Sequence, residues 1–208
     1  VSTYGQFCGV ARALDVVGER WTLLLVRELL VAPRRFTDLR DGLPGIAPNL
    51  LSRRLTALQD AGVVERRLAD RGTVYALTPW GEELRGVVRE LVRWAARSMA
   101  GGPAPDDAFH PEWLVVAMDA LLDDVRTPRP VRVAVHVDGW WGTLDAGPDG
   151  VRVATGRPDD RPVDATVSAP GPLLLGVASG AVPFASLATA GLVSGDADAA
   201  QAVLAAHV

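Results

Sequence analysis

Apolar residues in the first half of this 208-residue chain recur at the three- and four-residue spacing of helices, and a strict alternation of two first appears well into the second half. Gly9 to Val17 puts Val10, Ala13, Leu14 and Val17 on one side, the stripe of an amphipathic helix. Arg20 to Val31 is apolar almost throughout, which predicts a buried central helix. Pro33-Arg34-Arg35 breaks it, and Phe36 to Arg40 restarts a short helix with Thr37 near its cap. Gly42 to Gly45 is a turn. The next helix carries Leu51, Leu55 and Leu58 as a core stripe and Asn49, Ser52, Arg53 and Thr56 on another face. Pro48 suits a first helical position, where a missing N–H costs nothing, and Gly62 suits a left-handed helix end. Val63 to Leu68 and Val74 to Leu77 read as strands joined by the turn Asp70-Arg71-Gly72. This order predicts a winged helix-turn-helix.

From Pro79 to about Ser98, Trp80, Leu84, Val87, Leu91 and Trp94 follow spacings of four, three, four and three, a heptad-like seam. It reads either as a dimer interface or as packing within the chain. A Gly/Pro/acidic stretch, residues 100–107, then separates a domain of residues 1–99 from one of residues 108–208. The second domain is α+β in pattern: an amphipathic helix from His110 to Val125, then Val131, Val133, Val135 and Val137 alternating with Arg132, Ala134, His136 and Asp138 as a half-buried strand. Further strands are expected at Gly139–Leu144, Val151–Thr155, Val163–Ser168 and Leu192–Ser194. Helices are expected near Pro172–Ala178, Phe184–Ala190 and Ala197–Ala206. The whole is α+β.

Short polar side chains and an Arg fork on one helical face are suited to base edges in a major groove, and guanidiniums on a protruding hairpin to phosphates or a narrow minor groove. The candidate DNA-contacting set is Arg35, Asn49, Ser52, Arg53, Arg54, Thr56, Arg66, Arg67 and Arg71. Each also has a plain reading as a solvated surface residue. Charge sharpens the picture. Residues 1–97 hold 15 Arg against 11 acids, and residues 98–208 hold 6 Arg against 14, so a basic half precedes an acidic one and different partners are implied. The chain has no Lys, so every cationic contact is an Arg.

The segment from Phe7 to Arg67 resembles the HxlR family of bacterial transcription regulators. The likeness rests on Cys8 opening the first helix, Gly18-x-x-Trp21, Arg35-Phe36-x-Asp38-Leu39, Gly45-Ile46-x-Pro48, Leu51-x-x-Arg54-Leu55, and Leu77-Thr78 followed by Gly81. It covers about residues 6–97 and implies a homodimeric winged-helix protein that binds operator DNA near its own promoter. The chain departs from the family pattern at Gly9, where Pro is common, at Ala47, where Ser is common, and in lacking Lys near Asn49. Losing a Ser cap costs about 1 kcal/mol. These departures imply a modest operator affinity or an unusual sequence preference. Some members use the Cys at the place of Cys8 as a redox or electrophile sensor. Cys8 reads either so or as a small buried hydrophobe.

The tail resembles the C-terminal part of sterol carrier protein type 2 domains: Asp164-Ala165-x-Val167, an apolar helix, a second short helix, then Gly191-Leu192-Val193-Ser194-Gly195-Asp196 and a last helix. That likeness covers about residues 108–207 and implies a sheet covered by helices around a hydrophobic cavity for an apolar small molecule. Trp140, Trp141, Leu174, Phe184 and Leu187 are the large apolar candidates for its lining, with His136 or Arg132 as a polar orienting group. The plain alternative is that these residues fill a core. Two adjacent Trp cannot both face inward on a regular strand.

No catalytic set emerges: the His residues are scattered, and no metal-ligand spacing or phosphate loop is present. No cofactor is implied. No apolar run has the length of a membrane span, and a lone Cys fits a reducing cytoplasm, so the expectation is a cytoplasmic protein with no membrane partner. The reading is a ligand-modulated, homodimeric DNA-binding regulator. The alternative is a ligand-sequestering protein or enzyme that kept the winged-helix scaffold without regulatory DNA binding.

Overall fold

The computed structural model describes residues 3–70, 72–99 and 101–205. The chain forms two compact units, Val1–Val88 and Arg89–Val208. The N-terminal unit contains α1 (Gly9–Val17), α2 (Thr22–Val31), α3 (Phe36–Asp41), α4 (Pro48–Asp60), β1 (Val64–Ala69), β2 (Gly72–Leu77) and α5 (Pro79–Glu82). The division falls within α6 (Leu84–Ala96), upstream of residues 100–107. The second part of α6 is tied to the C-terminal unit by Arg89, which pairs with Asp119 and Asp123, and by Arg93, whose Nε donates to the Ala120 carbonyl at 2.8 Å and whose Nη2 donates to Asp123 Oδ2 at 3.0 Å.

Leucines set the N-terminal core. Leu25 and Leu29 of α2, Leu39 of α3 and Leu51, Leu55 and Leu58 of α4 are buried together with Val63 and Val64. The central helix is less purely apolar than its pattern implied: Glu28 is buried and accepts from Arg27 Nη2 at 2.7 Å. Burial pushes the Arg27 guanidinium down from its ordinary value, and the neighbouring Glu28 opposes that shift. The cap of α3 is Asp38, whose Oδ2 accepts from the Arg35 N–H at 3.1 Å, while Thr37 only donates weakly to Asp38. An acidic side chain at the third helical position can reach back to the N-cap amide, so Thr37 is not needed there. β1 and β2 pair antiparallel from Val64↔Leu77 to Ala69↔Gly72, and the backbone of Arg34 bridges to Tyr75 along the far side of β2. Gly62 takes a left-handed φ of 74° where α4 ends.

The C-terminal unit adds a 3₁₀ turn (Pro111–Trp113), α7 (Leu114–Leu121), β3 (Val131–Val137), β4 (Trp140–Gly147), β5 (Gly150–Thr155), β6 (Ala165–Ser168), α8 (Gly171–Ala178), α9 (Ala185–Thr189), β7 (Val193–Gly195) and α10 (Ala197–Leu204). The strands form one sheet in the order β5-β4-β3-β6-β7, with β3 and β6 parallel and the other pairs antiparallel. Leu114 and Met118 of α7, Leu174 and Val177 of α8, Leu187 of α9 and Val203 and Leu204 of α10 pack on the sheet face that bears Val131, Val133, Val135 and Val137. Asp196 caps α10 by accepting from the Ala199 N–H at 2.9 Å. The expected helix from His110 to Val125 is shorter, because its first turn is 3₁₀ and α7 stops at Leu121. β3 is not half-buried: Arg132 and Ala134 are buried as well as the valines. It is the central strand, and ion pairs cover Arg132 on the face away from the helices.

Candidate nucleic-acid interface

The two faces of α4 separate as their spacing requires. Leu51, Leu55 and Leu58 are at most 1% exposed, whereas Asn49, Ser52, Arg53 and Thr56 all face solvent. Pro48 stands in the first turn, and Ala47 as N-cap supplies no side-chain acceptor. Pro48 has no amide N–H, and the Leu50 and Leu51 amides both donate to the Ala47 carbonyl, at 2.9 and 3.0 Å. Trp21 precedes α2 with a left-handed φ of 78°, and its ring reaches toward Gly45 in the turn before α4.

The candidate arginines fall into two groups. Arg35, Arg53 and Arg66 have no carboxylate partner among the described residues, and Arg66 lies over the Tyr75 ring at 5.7 Å. Arg54 is turned inward: its Nη2 meets Glu19 Oε2 at 2.6 Å and its Nε donates to the Arg20 carbonyl at 3.2 Å, tying α4 to the α1–α2 turn. Arg67 pairs with Glu65 across 2.5 Å and donates to the Leu77 carbonyl at 3.3 Å. Arg54 thus serves the fold first, through Glu19 on the α1–α2 turn, and Arg67 is paired with Glu65 two residues earlier on the same strand. Arg71 lies outside the described residues.

Among the described residues, Trp80, Val87, Leu91 and Trp94 along α5 and α6 are exposed, Trp94 by 81%, and Leu84 is half-buried. Phe7, Val10 and Leu14 add an exposed apolar face on α1 and the segment before it. Within the N-terminal unit a groove of about 1120 Å³ is lined by Ser52, Arg53 and Thr56 from α4 and by Trp80, Leu84 and Val87 from the seam.

Cys8 is exposed at the N-terminus of α1, not buried as a small hydrophobe. The backbone N–H groups of Ala11 and Val10 lower its thiol pKa from the ordinary value.

The expected ligand residues do not line one cavity. Leu174, Phe184 and Leu187 are buried in the core, and Trp140 packs against the same core. His136 and Trp141 occupy the opposite face of the sheet, stacked with ring centroids 4.4 Å apart. The split follows from the register: Val137↔Trp140 and His136↔Trp141 are successive pairs, and successive side chains point to opposite faces. A charged cluster lies on the same face. Arg132 reaches Asp145 at 3.1 Å and Asp159 at 2.5 Å, and Arg161 reaches Asp159 at 3.0 Å. The Arg132 hydrogen bond, helped by the Arg161 amide, holds the Asp159 carboxyl well below the usual carboxylate range. No local sequence pattern marks Asp159, because Arg132 is 27 residues away and reaches it only through the fold. Among the described residues no cluster of three His, Cys, Asp or Glu side chains is placed to hold a metal ion. No helix among them is long and apolar enough to cross a membrane.

A buried leucine stripe, a solvent-facing polar stripe on the same helix and a hairpin wing beside it define the N-terminal unit as a winged helix-turn-helix, the class that presents one helix to a DNA groove. The chain belongs to the HxlR-like helix-turn-helix family, whose model matches residues 16–101. It is similar to the HTH-type transcriptional regulator YvaP of Bacillus subtilis, 34% identical over 87 residues that make up 40% of this chain and 81% of that protein. It is also similar to the HTH-type transcriptional regulator YodB of the same organism, 33% identical over 86 residues, 40% of this chain and 77% of that protein. The crystal structure of quinone-bound YodB from B. subtilis aligns with 42% of this chain and 96% of its own, at 31% identity and a TM-score of 0.39.

Proposed function

We propose that this chain is a transcription regulator that binds operator DNA as a homodimer, with a sterol-carrier-like C-terminal unit that tunes this binding through a small molecule. The observation that carries the DNA reading is the exposed row Asn49, Ser52, Arg53 and Thr56 on a helix whose opposite side is buried leucine. α4 enters the major groove, Arg53 reads a base edge, and Arg66 on the wing contacts phosphate. Dimerisation is supported by the exposed seam from Trp80 to Trp94, too apolar for a face that stays in water. Two such chains present two recognition helices to a palindromic site. Cys8 is the reactive group in this reading: exposed, at a helix N-terminus, with a thiolate favoured by two amides. Support for the C-terminal unit's role is its architecture, a single sheet with helices on one face and an aromatic, arginine-rich opposite face.

Gel-shift titration of the full chain on the DNA upstream of its own gene, at stated salt concentrations, tests the reading. Tight, sequence-selective, salt-dependent binding is expected. Weak binding that does not distinguish the upstream DNA from random DNA favours a ligand-sequestering protein on the same scaffold.

A further inference from the structure

We infer that the face of the C-terminal sheet turned away from its helices holds a shelf for a planar aromatic carboxylate, against Trp141 and beside β5. The inference rests on the small-molecule reading above and names its ligand class and its place.

The register sets three rows of side chains on this face. Arg132, Asp145 and Arg152 pair across β3, β4 and β5, as do Ala134, Thr143 and Ala154. His136 pairs with Trp141, and the Gly156 amide donates to the Trp141 carbonyl at 2.8 Å, completing the third row. A charged row and an aromatic row thus flank a row of small residues. Four residues of strand separate Trp141 from Asp145, roughly 13 Å. That span suits one or two fused rings with an acid group at one end.

The β3 side of this face is closed and the β5 side is open. The segment 156–164 is pinned over the sheet where Asp159 meets Arg132 and where Arg161 meets Asp145 at 3.6 Å. Ala134 and Thr143 are buried, whereas Arg152, Ala154 and Gly156 are exposed. Nothing beyond its chain neighbours lies within 4 Å of where a Cβ on Gly156 would stand, and the exposed Arg157 guanidinium lies over the Trp141 ring. His136 stacks on the indole from the β3 side and fixes its plane.

Charge chooses the ligand. This face gathers Arg132, Arg152, Arg157 and Arg161 in a half of the chain with eight more acids than arginines. Asp145 and Asp159 are taken by Arg132 and Arg161. Arg152 and Arg157 have no carboxylate partner among the described residues, and Arg157 sits over the Trp141 ring at 5.5 Å. An indole wall with two uncommitted guanidinium forks matches an aryl ring bearing a carboxylate, which a guanidinium grips through two parallel hydrogen bonds.

Isothermal titration calorimetry of the full chain with 2-naphthoate, salicylate and indole-3-acetate tests this. At least one should bind at one site per chain. Its uncharged carboxamide should bind at least about tenfold more weakly, as should the carboxylate to Arg152→Gln, Arg157→Gln or Trp141→Leu. Trp140→Phe, on the other face, should bind as wild type does. Absence of binding by all three carboxylates overturns the shelf. So does wild-type affinity in both arginine variants, or a loss confined to Trp140→Phe. Binding with the expected variant pattern that leaves operator affinity unchanged upholds the shelf and removes the tuning role of the C-terminal unit, so the two ideas fail separately.

Discussion

A Cβ on Gly81 would run into the carbonyl oxygen of Val63, which shows how closely α5 sits on the turn that ends α4. Thr78 closes the contact: its hydroxyl donates to the Gly62 carbonyl at 2.7 Å and accepts from the Gly81 N–H at 3.0 Å. The Thr78-to-Gly81 spacing is therefore a packing device. Gly81→Ala should lower the unfolding free energy by about 2 kcal/mol or more in urea titration, because backbone rather than a flexible side chain must give way. The two adjacent arginines of α4 should separate cleanly. Arg53→Ala should cost about 1–3 kcal/mol of operator binding and relax preference at one base position, with the melting temperature unchanged. Arg54→Ala frees Glu19 and should register in thermal melting first. Equal effects of the two on base preference would refute this division. At Cys8 the lowered thiol pKa means that thiolate forms at a lower pH than in an ordinary cysteine. The pH at half-maximal iodoacetamide alkylation should lie below that of free cysteine. A profile that coincides with that of free cysteine would place Cys8 outside any sensing role.

Elements whose burial is decided within a few turns of chain were legible. The leucine stripe of α4, Pro48 at its start and Gly62 at its end give that helix a readable face and readable limits. Partner-dependent features were not. β3 alternates apolar and polar residues like a surface strand, yet it is central, and its Arg132 is buried because Asp145 and Asp159 arrive from other elements. The division of the expected pocket was legible in part: strand alternation puts the adjacent Trp140 and Trp141 on opposite faces, and only the register shows which of them joins the core. The inward turn of Arg54 was hidden too, since Glu19 is 35 residues away. α6 shows both sides of this. Its heptad spacing announced an apolar face, but only the structure shows Arg89 and Arg93 engaged on α7 while Leu91 and Trp94 stay exposed. With the arginine side of α6 held, the apolar side is free for a second copy. Leu91→Asp should therefore give monomers by light scattering at micromolar concentration, with the circular dichroism of folded chain. A folded, fully dimeric variant would show that the seam is not the interface.

At the scale of the whole molecule, charge sets how this chain meets DNA. The chain's net charge is −4, so the dimer proposed above would as a whole repel the duplex, and attraction would depend on a few local arginines in the basic half. Arg35, Arg53 and Arg66 are uncommitted, whereas Arg54 and Arg67 are held by Glu19 and Glu65. With Arg53 assigned to a base edge, Arg35 and Arg66 are the phosphate-neutralising groups, four in the proposed dimer. Counterion release then gives a slope of log affinity against log salt of roughly −4. Arg66→Ala removes two of the four and should flatten that slope by about 2 while leaving base preference intact. Arg67→Ala releases Glu65 beside the wing and should weaken binding with less change in slope, since its charge is already compensated. Fluorescence anisotropy on a labelled operator across a salt series reads both quantities. A slope near −10 would mean that arginines beyond Arg35 and Arg66 meet phosphate, and an unchanged slope in Arg66→Ala would take the wing off the phosphate backbone.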